Sequence, residues 1–269
     1  SPAALLERYP SAATGATDHL VSLGYIERAS RSIMSLAINP RPDQIDELTR
    51  GLLLPLPSID NEYLELIAEG LSRAFQDIRS AQPGTVACGS EAEVTALLEA
   101  RLNTLAEQDP FWGQLVMCVA RGKESLSFDG SHLEKRPDLS IYLSDGSRNF
   151  PLVAEAKVLD SAQSKSATLY CDKGLCRFLR GEYAWASQEA FMLAYVRDGS
   201  SINGQLVPLL SKAMALTPAR YAVQALPSSV GNGTSDLAWS QHSRAFAYIH
   251  QTFPAPAPGP IDVWHLWLS

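Results

Sequence analysis

The hydrophobic positions in the first third of the chain are spaced three and four residues apart, which predicts helices. The clearest run forms a single apolar stripe, made of Leu64, Ile67, Leu71, Phe75 and Ile78. Ser58 stands ahead of this run as a candidate N-cap. Shorter helical patterns precede it at 17–38 and 43–53. The pattern therefore predicts a helical region over residues 1–85.

From residue 81 onward the pattern changes from helices alone to helices alternating with strands. Residues 81–90 are predicted to form a connector. Ser90 and Glu93 form a capping box ahead of a helix predicted over 91–107. Three apolar runs of strand length follow, at 114–120, 138–143 and 151–156. The turn at 144–147 joins the last two of these as a hairpin.

The same alternation continues to the C-terminus. A helix is predicted over 163–186 and a strand over 191–196. Residues 226–236 are rich in turn-forming residues, so they are expected to lie in a loose tail. The apolar run 261–268 predicts a closing strand. Residues 86–269 are thus expected to form an α/β domain.

Composition and charge are those of an ordinary soluble protein. The chain has 269 residues, of which 46% are hydrophobic and 19% charged, and no apolar run is long enough to suggest a membrane span. The net charge is −7, whereas proteins that bind nucleic acids usually present a basic surface. Residues 157–185 depart from this balance with five basic and three acidic side chains. The overall charge therefore weighs against a nucleic-acid partner without excluding one.

The four cysteines do not form a CxxC pair, and their spacing to histidines is not that of a zinc site. Cys118 lies in an apolar run, where a buried thiol is expected. We expect all four to be reduced, non-catalytic thiols in a cytoplasmic protein.

Three charged residues interrupt the apolar runs in the middle of the chain: Asp138 in the first, and Glu155 and Lys157 in the second. A strand alternates its side chains, so Glu155 and Lys157 are predicted to point to the same side. Two carboxylates and an ammonium on adjacent strands suit a hard divalent cation and the hydrolysis of a phosphodiester. The alternative is an edge hairpin with three solvated side chains, although charge within an apolar strand is costly unless it is paired or used.

The order helix, three strands, helix, strand, with Pro137-Asp138 and Glu155-Ala156-Lys157 on consecutive strands, resembles the PD-(D/E)xK nuclease superfamily. The resemblance covers about residues 90–198. It implies a restriction-endonuclease-like core, in which helices flank a mixed central sheet, with the N-terminal helical region added to it.

The resemblance also implies roles for the charged residues. Asp138 and Glu155 would ligate Mg²⁺, with Mn²⁺ as a substitute, and Lys157 would orient or activate the attacking water. A further glutamate from the first core helix often completes such a site. Glu91 is the first choice for it, and Glu93 is the alternative because its place in the capping box already gives it a structural role.

Other polar residues are candidates for contacts with the substrate. Lys173, Arg177 and Arg180 are spaced by four and three on the helix after the motif, so they share a face that either meets phosphates or is simply solvated. Lys173 is the better accessory candidate because it is nearest to the motif in the chain. His242 is predicted either to contact substrate or, preferably, to form structural hydrogen bonds.

These observations lead to the expectation of a magnesium-dependent DNA endonuclease in a bacterial defence or restriction-like system. One alternative is a catalytically inert module with the nuclease fold that serves binding or assembly. Another is an RNase or toxin, because RNA offers the same phosphodiester. The N-terminal helices are expected to contact substrate, bind a partner or form a homodimer, and no membrane contact is expected.

Overall fold

A mixed β-sheet with helices on both faces forms the framework of the protein in a computed structural model. The structure describes residues 42–131, 135–231, 235–248 and 257–269. The helix predicted over 17–38 lies outside these residues. None of the described helices is long and apolar enough to cross a membrane.

Five helices precede the sheet in the described part of the chain: α1 Pro42–Thr49, α2 Asn61–Ala81, α3 Pro83–Cys88, α4 Glu91–Gln108 and α5 Pro110–Leu115. The capping box predicted for α4 is present. The N-cap of α2 is Asp60, whose carboxylate accepts the amide proton of Glu62, and not Ser58 as predicted. Ser58 instead donates its hydroxyl proton to Glu189. Most of the predicted connector over 81–90 is helix α3, which begins at a proline.

The helix predicted after the motif is shorter and less regular than its sequence suggests. An α turn Ala167–Tyr170, a π turn Cys171–Leu175 and an α turn Cys176–Leu179 follow one another and together form α6. The helix does not continue to residue 186, because Gly181 adopts φ +67° directly after it, as helix-terminating glycines do. A second composite helix, α7, consists of Ile202–Leu206 and Val207–Met214.

The sheet contains seven strands: β1 Val116–Ala120, β2 Leu139–Leu143, β3 Leu152–Leu159, β4 Glu189–Val196, β5 Val223–Ser229, β6 Asp236–His242 and β7 Ile261–Leu268. Their order across the sheet is β1-β2-β3-β4-β7-β6-β5. The strands β3, β4 and β7 are parallel, and the other neighbouring pairs are antiparallel. The predicted α/β class, with a mixed sheet flanked by helices and a helical region ahead of it, is confirmed.

The two faces of the sheet bury separate hydrophobic cores. Helices α2 and α4 cover one face, where Phe75 and Leu98 are buried against the strands. Helices α6 and α7 cover the other, with Phe178 and Leu210. Because α2 packs on the sheet, residues 61–81 belong to the same compact unit as the strands and do not form a separate helical annex.

Two local expectations are wrong. Strand β5 and the start of β6 occupy much of the predicted loose tail at 226–236; β5 is an edge strand, which tolerates Pro227. Cys118 is exposed. A bulge between Val116 and Cys118 shifts the alternation of β1 by one residue, so Val116 and Val119 are buried while the two residues between them face solvent.

Candidate active site

Strand β3 continues past Leu139, the first residue of its neighbour β2. The site lies where the two strands separate, and we call this point the fork. The pairing of the two strands starts at Leu139 and Ala154, so the later backbone N–H groups of β3 on that side have no partner in β2. Asp138 accepts the amide proton of Ala156 through Oδ2 at 2.8 Å. Glu91, at the start of α4, accepts that of Val158 through Oε2 at 3.1 Å. The two carboxylates replace the missing strand and are thereby fixed in place.

The ammonium of Lys157 lies among three carboxylates. Its Nζ is 2.9 Å from Glu91 Oε1, 2.9 Å from Glu155 Oε1 and 3.6 Å from Asp138 Oδ2. It also donates to the carbonyl oxygen of Ala156 at 2.5 Å. We refer to Glu91, Asp138, Glu155 and Lys157 as the charge cluster. The residues predicted for the site, Asp138, Glu155, Lys157 and Glu91, are thus brought together.

The charge cluster is open on one side and closed on the other. The side chains of Glu91 and Asp138 are 34% and 27% exposed, whereas those of Lys157 and Glu155 are 13% and 2% exposed. Glu155 therefore forms the floor of the site. A molecule from solvent would approach past Glu91 and Asp138.

Tyr183 and Arg177 contact the buried carboxylate of Glu155. The hydroxyl of Tyr183 donates to Glu155 Oε2. Arg177, on α6, donates to the Tyr183 oxygen at 3.0 Å, and its Nη1 lies 3.4 Å from Glu155 Oε1. Arg177 was predicted as a substrate contact and lies at the cluster. Tyr183 was not predicted, because the turn at Gly181 that brings it back to β3 gives no chemical signal in the sequence.

Burial and neighbouring charges change the pKa values of both Glu155 and Lys157. Burial, together with the charge of Asp138, raises the pKa of Glu155 to about 7, although Lys157 and Arg177 act in the opposite direction. Burial by itself would lower the pKa of Lys157, but the attraction of Glu155, Asp138 and Glu91 outweighs it and raises that pKa. Lys157 therefore remains an ammonium at neutral pH, where Glu155 titrates.

The two candidate glutamates at the start of α4 have different roles in the structure. Glu93 accepts the backbone N–H of Ser90 at 2.7 Å and caps the helix, whereas Glu91 reaches the cluster. Arg197 fixes this end of α4 by donating to the carbonyls of Val86 and Gly89, at 3.0 and 2.6 Å. Its contribution was not predicted, since it follows β4 and is more than a hundred residues distant from them.

Among the described residues, the two remaining predicted substrate contacts form no hydrogen bond or ion pair with the cluster. Lys173 is exposed on the π turn of α6, and none of its contacts within the described ranges reaches the cluster. His242 is fully buried and bonds to Ser240 and the carbonyl of Tyr221. A substrate contact by His242 does not agree with this position, whereas the structural role that we preferred does.

The chemistry of the cluster fits a hard cation, but its present arrangement is built around an ammonium. Carboxylate and carbonyl oxygens are the ligands that Mg²⁺ and Mn²⁺ prefer. In the parts of the chain that the structure describes, no group of three or more His, Cys, Asp or Glu residues is arranged as a metal site. Here Lys157 stands between the carboxylates, so a divalent cation would have to displace its ammonium.

Comparisons of the chain with protein-family models, with curated proteins and with solved structures return no match. A functional assignment therefore depends on the geometry and electrostatics of the charge cluster.

Proposed function

We propose that this protein is a metal-dependent phosphodiesterase, and specifically a DNA endonuclease with a restriction-endonuclease-like core of the PD-(D/E)xK type. The observation that carries the proposal is the convergence of Glu91, Asp138 and Glu155 on Lys157 at the fork between β2 and β3. The antiparallel strands β1 to β3, followed by α6 and the parallel strand β4, support it, since this is the element order of that superfamily.

Each residue of the cluster has a place in such a reaction. The carboxylates of Glu91, Asp138 and Glu155, with the carbonyl of Ala156, would hold Mg²⁺ or Mn²⁺. A bound divalent cation polarises a phosphoryl oxygen and lowers the pKa of a water molecule. Lys157 would place its ammonium beside the attacking water and offset the negative charge that develops on the phosphate.

The choice of DNA, and a role in bacterial defence or restriction, follow from the resemblance alone. Cleavage of RNA by an RNase or toxin uses the same bond, so both substrates belong in the test. The inert binding module has one observation in its favour: Lys157 already neutralises the carboxylates as a structural ion pair would.

The proposal is tested by incubating the protein with supercoiled plasmid and with a structured RNA, each in Mg²⁺, Mn²⁺ or chelator. We expect cation-dependent cleavage of the plasmid, reduced about 10²-fold or more in Glu155→Gln, because one transition-state or metal contact is typically of that size. Glu93→Gln is the matched control, an acidic residue two positions from Glu91 that caps the helix, and it should cleave normally. Cleavage of RNA alone would establish the RNase, and the absence of cleavage and cation binding would support the inert module.

The affinity for Mn²⁺ should increase with pH through neutrality. Glu155 has a pKa of about 7 and must lose its proton to ligate a cation. Below this pH a proton therefore competes with the cation for the carboxylate. For one such group, the affinity at about pH 8 should exceed that at about pH 6 by roughly 10-fold, as measured by calorimetry. In Glu155→Gln this part of the pH dependence should disappear. An equal slope in that variant would assign the titration to another residue.

A further inference from the structure

A network of buried polar side chains links strands β6 and β7 to helix α6. The Tyr170 hydroxyl is 2.9 Å from His265 Nδ1, and His265 Nε2 is 2.7 Å from Ser240 Oγ. Ser240 Oγ is also 2.7 Å from His242 Nε2, and His242 Nδ1 is 2.8 Å from the carbonyl oxygen of Tyr221. We refer to these five residues as the buried polar network. None of them is needed to build the charge cluster itself.

The buried polar network contacts α6 at two residues, Tyr170 and Asp172. It begins at Tyr170, the last residue before the π turn. At its other end, the hydroxyl of Tyr221 donates to Asp172 Oδ1 at 2.8 Å, and Arg220 donates to both oxygens of Asp172 at 2.7 Å. The π turn Cys171–Leu175 is therefore held at its start from two directions.

The π turn lies directly against the floor of the charge cluster. A Cβ atom added to Gly174 would lie 3.5 Å from Cγ of Glu155, an ordinary van der Waals distance, so the backbone of the turn is next to Glu155. Arg177 follows on the next turn and contacts Glu155. Since π turns inside α-helices are rare and occur frequently at functional sites, the position of this turn is informative.

With both imidazoles neutral, the hydrogen bonds from His242 through Ser240 to His265 run in one direction. His242 Nδ1 faces a carbonyl and must carry a proton, and burial lowers the pKa of His242 to about 4, so its Nε2 accepts. Ser240 then donates to His242 and accepts from His265 Nε2. The remaining nitrogen of His265 then accepts from Tyr170, whose single hydroxyl proton is shared with the Met192 carbonyl oxygen, also 2.9 Å away. Loss of any member leaves a buried polar group unpaired, which favours a single geometry.

We propose that the buried polar network is a positioning device for the charge cluster: it fixes the π turn of α6, and through it the contact of Arg177 with Glu155. Its catalytic consequence rests on the proposed function, but the structural coupling does not. His242, a candidate from the sequence, thereby acquires a role at a site that it does not touch.

The experiment compares Ser240→Ala and Tyr221→Phe with Tyr248→Phe. The control variant also loses a buried hydroxyl, which donates to the Trp185 carbonyl at 2.9 Å outside the network. Tyr221→Phe removes only the oxygen that reaches Asp172, so it keeps the test open should Ser240→Ala fold poorly. Backbone hydrogen–deuterium exchange is measured over residues 170–179, and kcat and KM for plasmid cleavage are measured in Mn²⁺.

We expect exchange over residues 170–179 to rise about 10-fold in both network variants and to stay unchanged in the control. The kcat value should fall about 10-fold with little change in KM. Equal exchange in all three variants, or a rise spread over the whole protein, would overturn the proposal. Local exchange that rises while the unaltered protein does not cleave DNA would preserve the coupling and reject the proposed function instead.

Discussion

Replacing Lys157 by methionine should strongly reduce cleavage and at the same time tighten the binding of Mn²⁺. The ammonium now stands where three carboxylates and a carbonyl converge, so it competes with a divalent cation for the same oxygens. Methionine keeps the length of the side chain and removes the charge. The affinity for Mn²⁺ should rise about 10- to 100-fold, within the few kcal/mol that a unit charge about 4 Å away exerts at an effective dielectric constant near 20. Cleavage should fall by about 10²-fold or more, because the amine beside the water is lost.

The pH of this measurement matters because Lys157 also lowers the pKa of Glu155. Without the ammonium, that pKa should rise above its present value of about 7, and protonated Glu155 would then oppose cation binding. Calorimetry at about pH 8 therefore shows the gain in affinity more fully than calorimetry at about pH 6, which lies below the pKa of Glu155.

Lys173→Met is the matched control for this experiment. It removes the same charge from an exposed side chain of α6 that makes no ion pair with the charge cluster among the described residues, and should leave Mn²⁺ affinity within about twofold of the original. If Lys157→Met bound Mn²⁺ more weakly than the unaltered protein, the lysine would be supporting the cation and not competing with it. If neither protein bound Mn²⁺, the proposed metal site itself would be rejected.

The sequence predicts the site residues on the strands well, because their placement depends on local periodicity. Alternation along β3 places Glu155 and Lys157 together, and the capping box distinguishes Glu93 from Glu91. The rest depends on contacts between residues far apart in the chain. Arg197 fixes the start of α4, and Tyr183 reaches Glu155 only because α6 ends early. No local pattern encodes either contact.

The errors in the fold have similar causes. β5 contains Pro227 and is followed by a glycine-rich stretch of sequence, so its composition suggests a loop, while its position at the sheet edge permits a strand. The π turn of α6 shifts the helical phase, which a regular 3.6-residue pattern does not anticipate. The bulge in β1 likewise shifts the alternation of buried and exposed residues along the strand, and this exposes Cys118.

Arg244, two residues after His242, has an environment that the sequence also does not reveal. The side chain is buried, and its five N–H groups face six backbone carbonyls within 3.5 Å, those of Ala184, Trp185, Ser187, Pro258, Gly259 and Pro260, so that at least one N–H group is shared. These carbonyls belong to the two segments that lead into β4 and β7. Arg244 thus connects the segments that precede the parallel strands β4 and β7. Its N–H groups pair with carbonyls that have no partner in regular secondary structure.

Replacing Arg244 by methionine should therefore cost about 3 to 5 kcal/mol of unfolding free energy, since several carbonyls lose a charged donor in a buried site. Urea unfolding followed by circular dichroism measures this loss. Arg180→Met, an exposed arginine at the end of α6, is the control and should change stability by less than about 0.5 kcal/mol. A loss below about 1 kcal/mol in Arg244→Met would show that water satisfies these carbonyls as well as the guanidinium does, and that the segments before β4 and β7 are held by their apolar contacts.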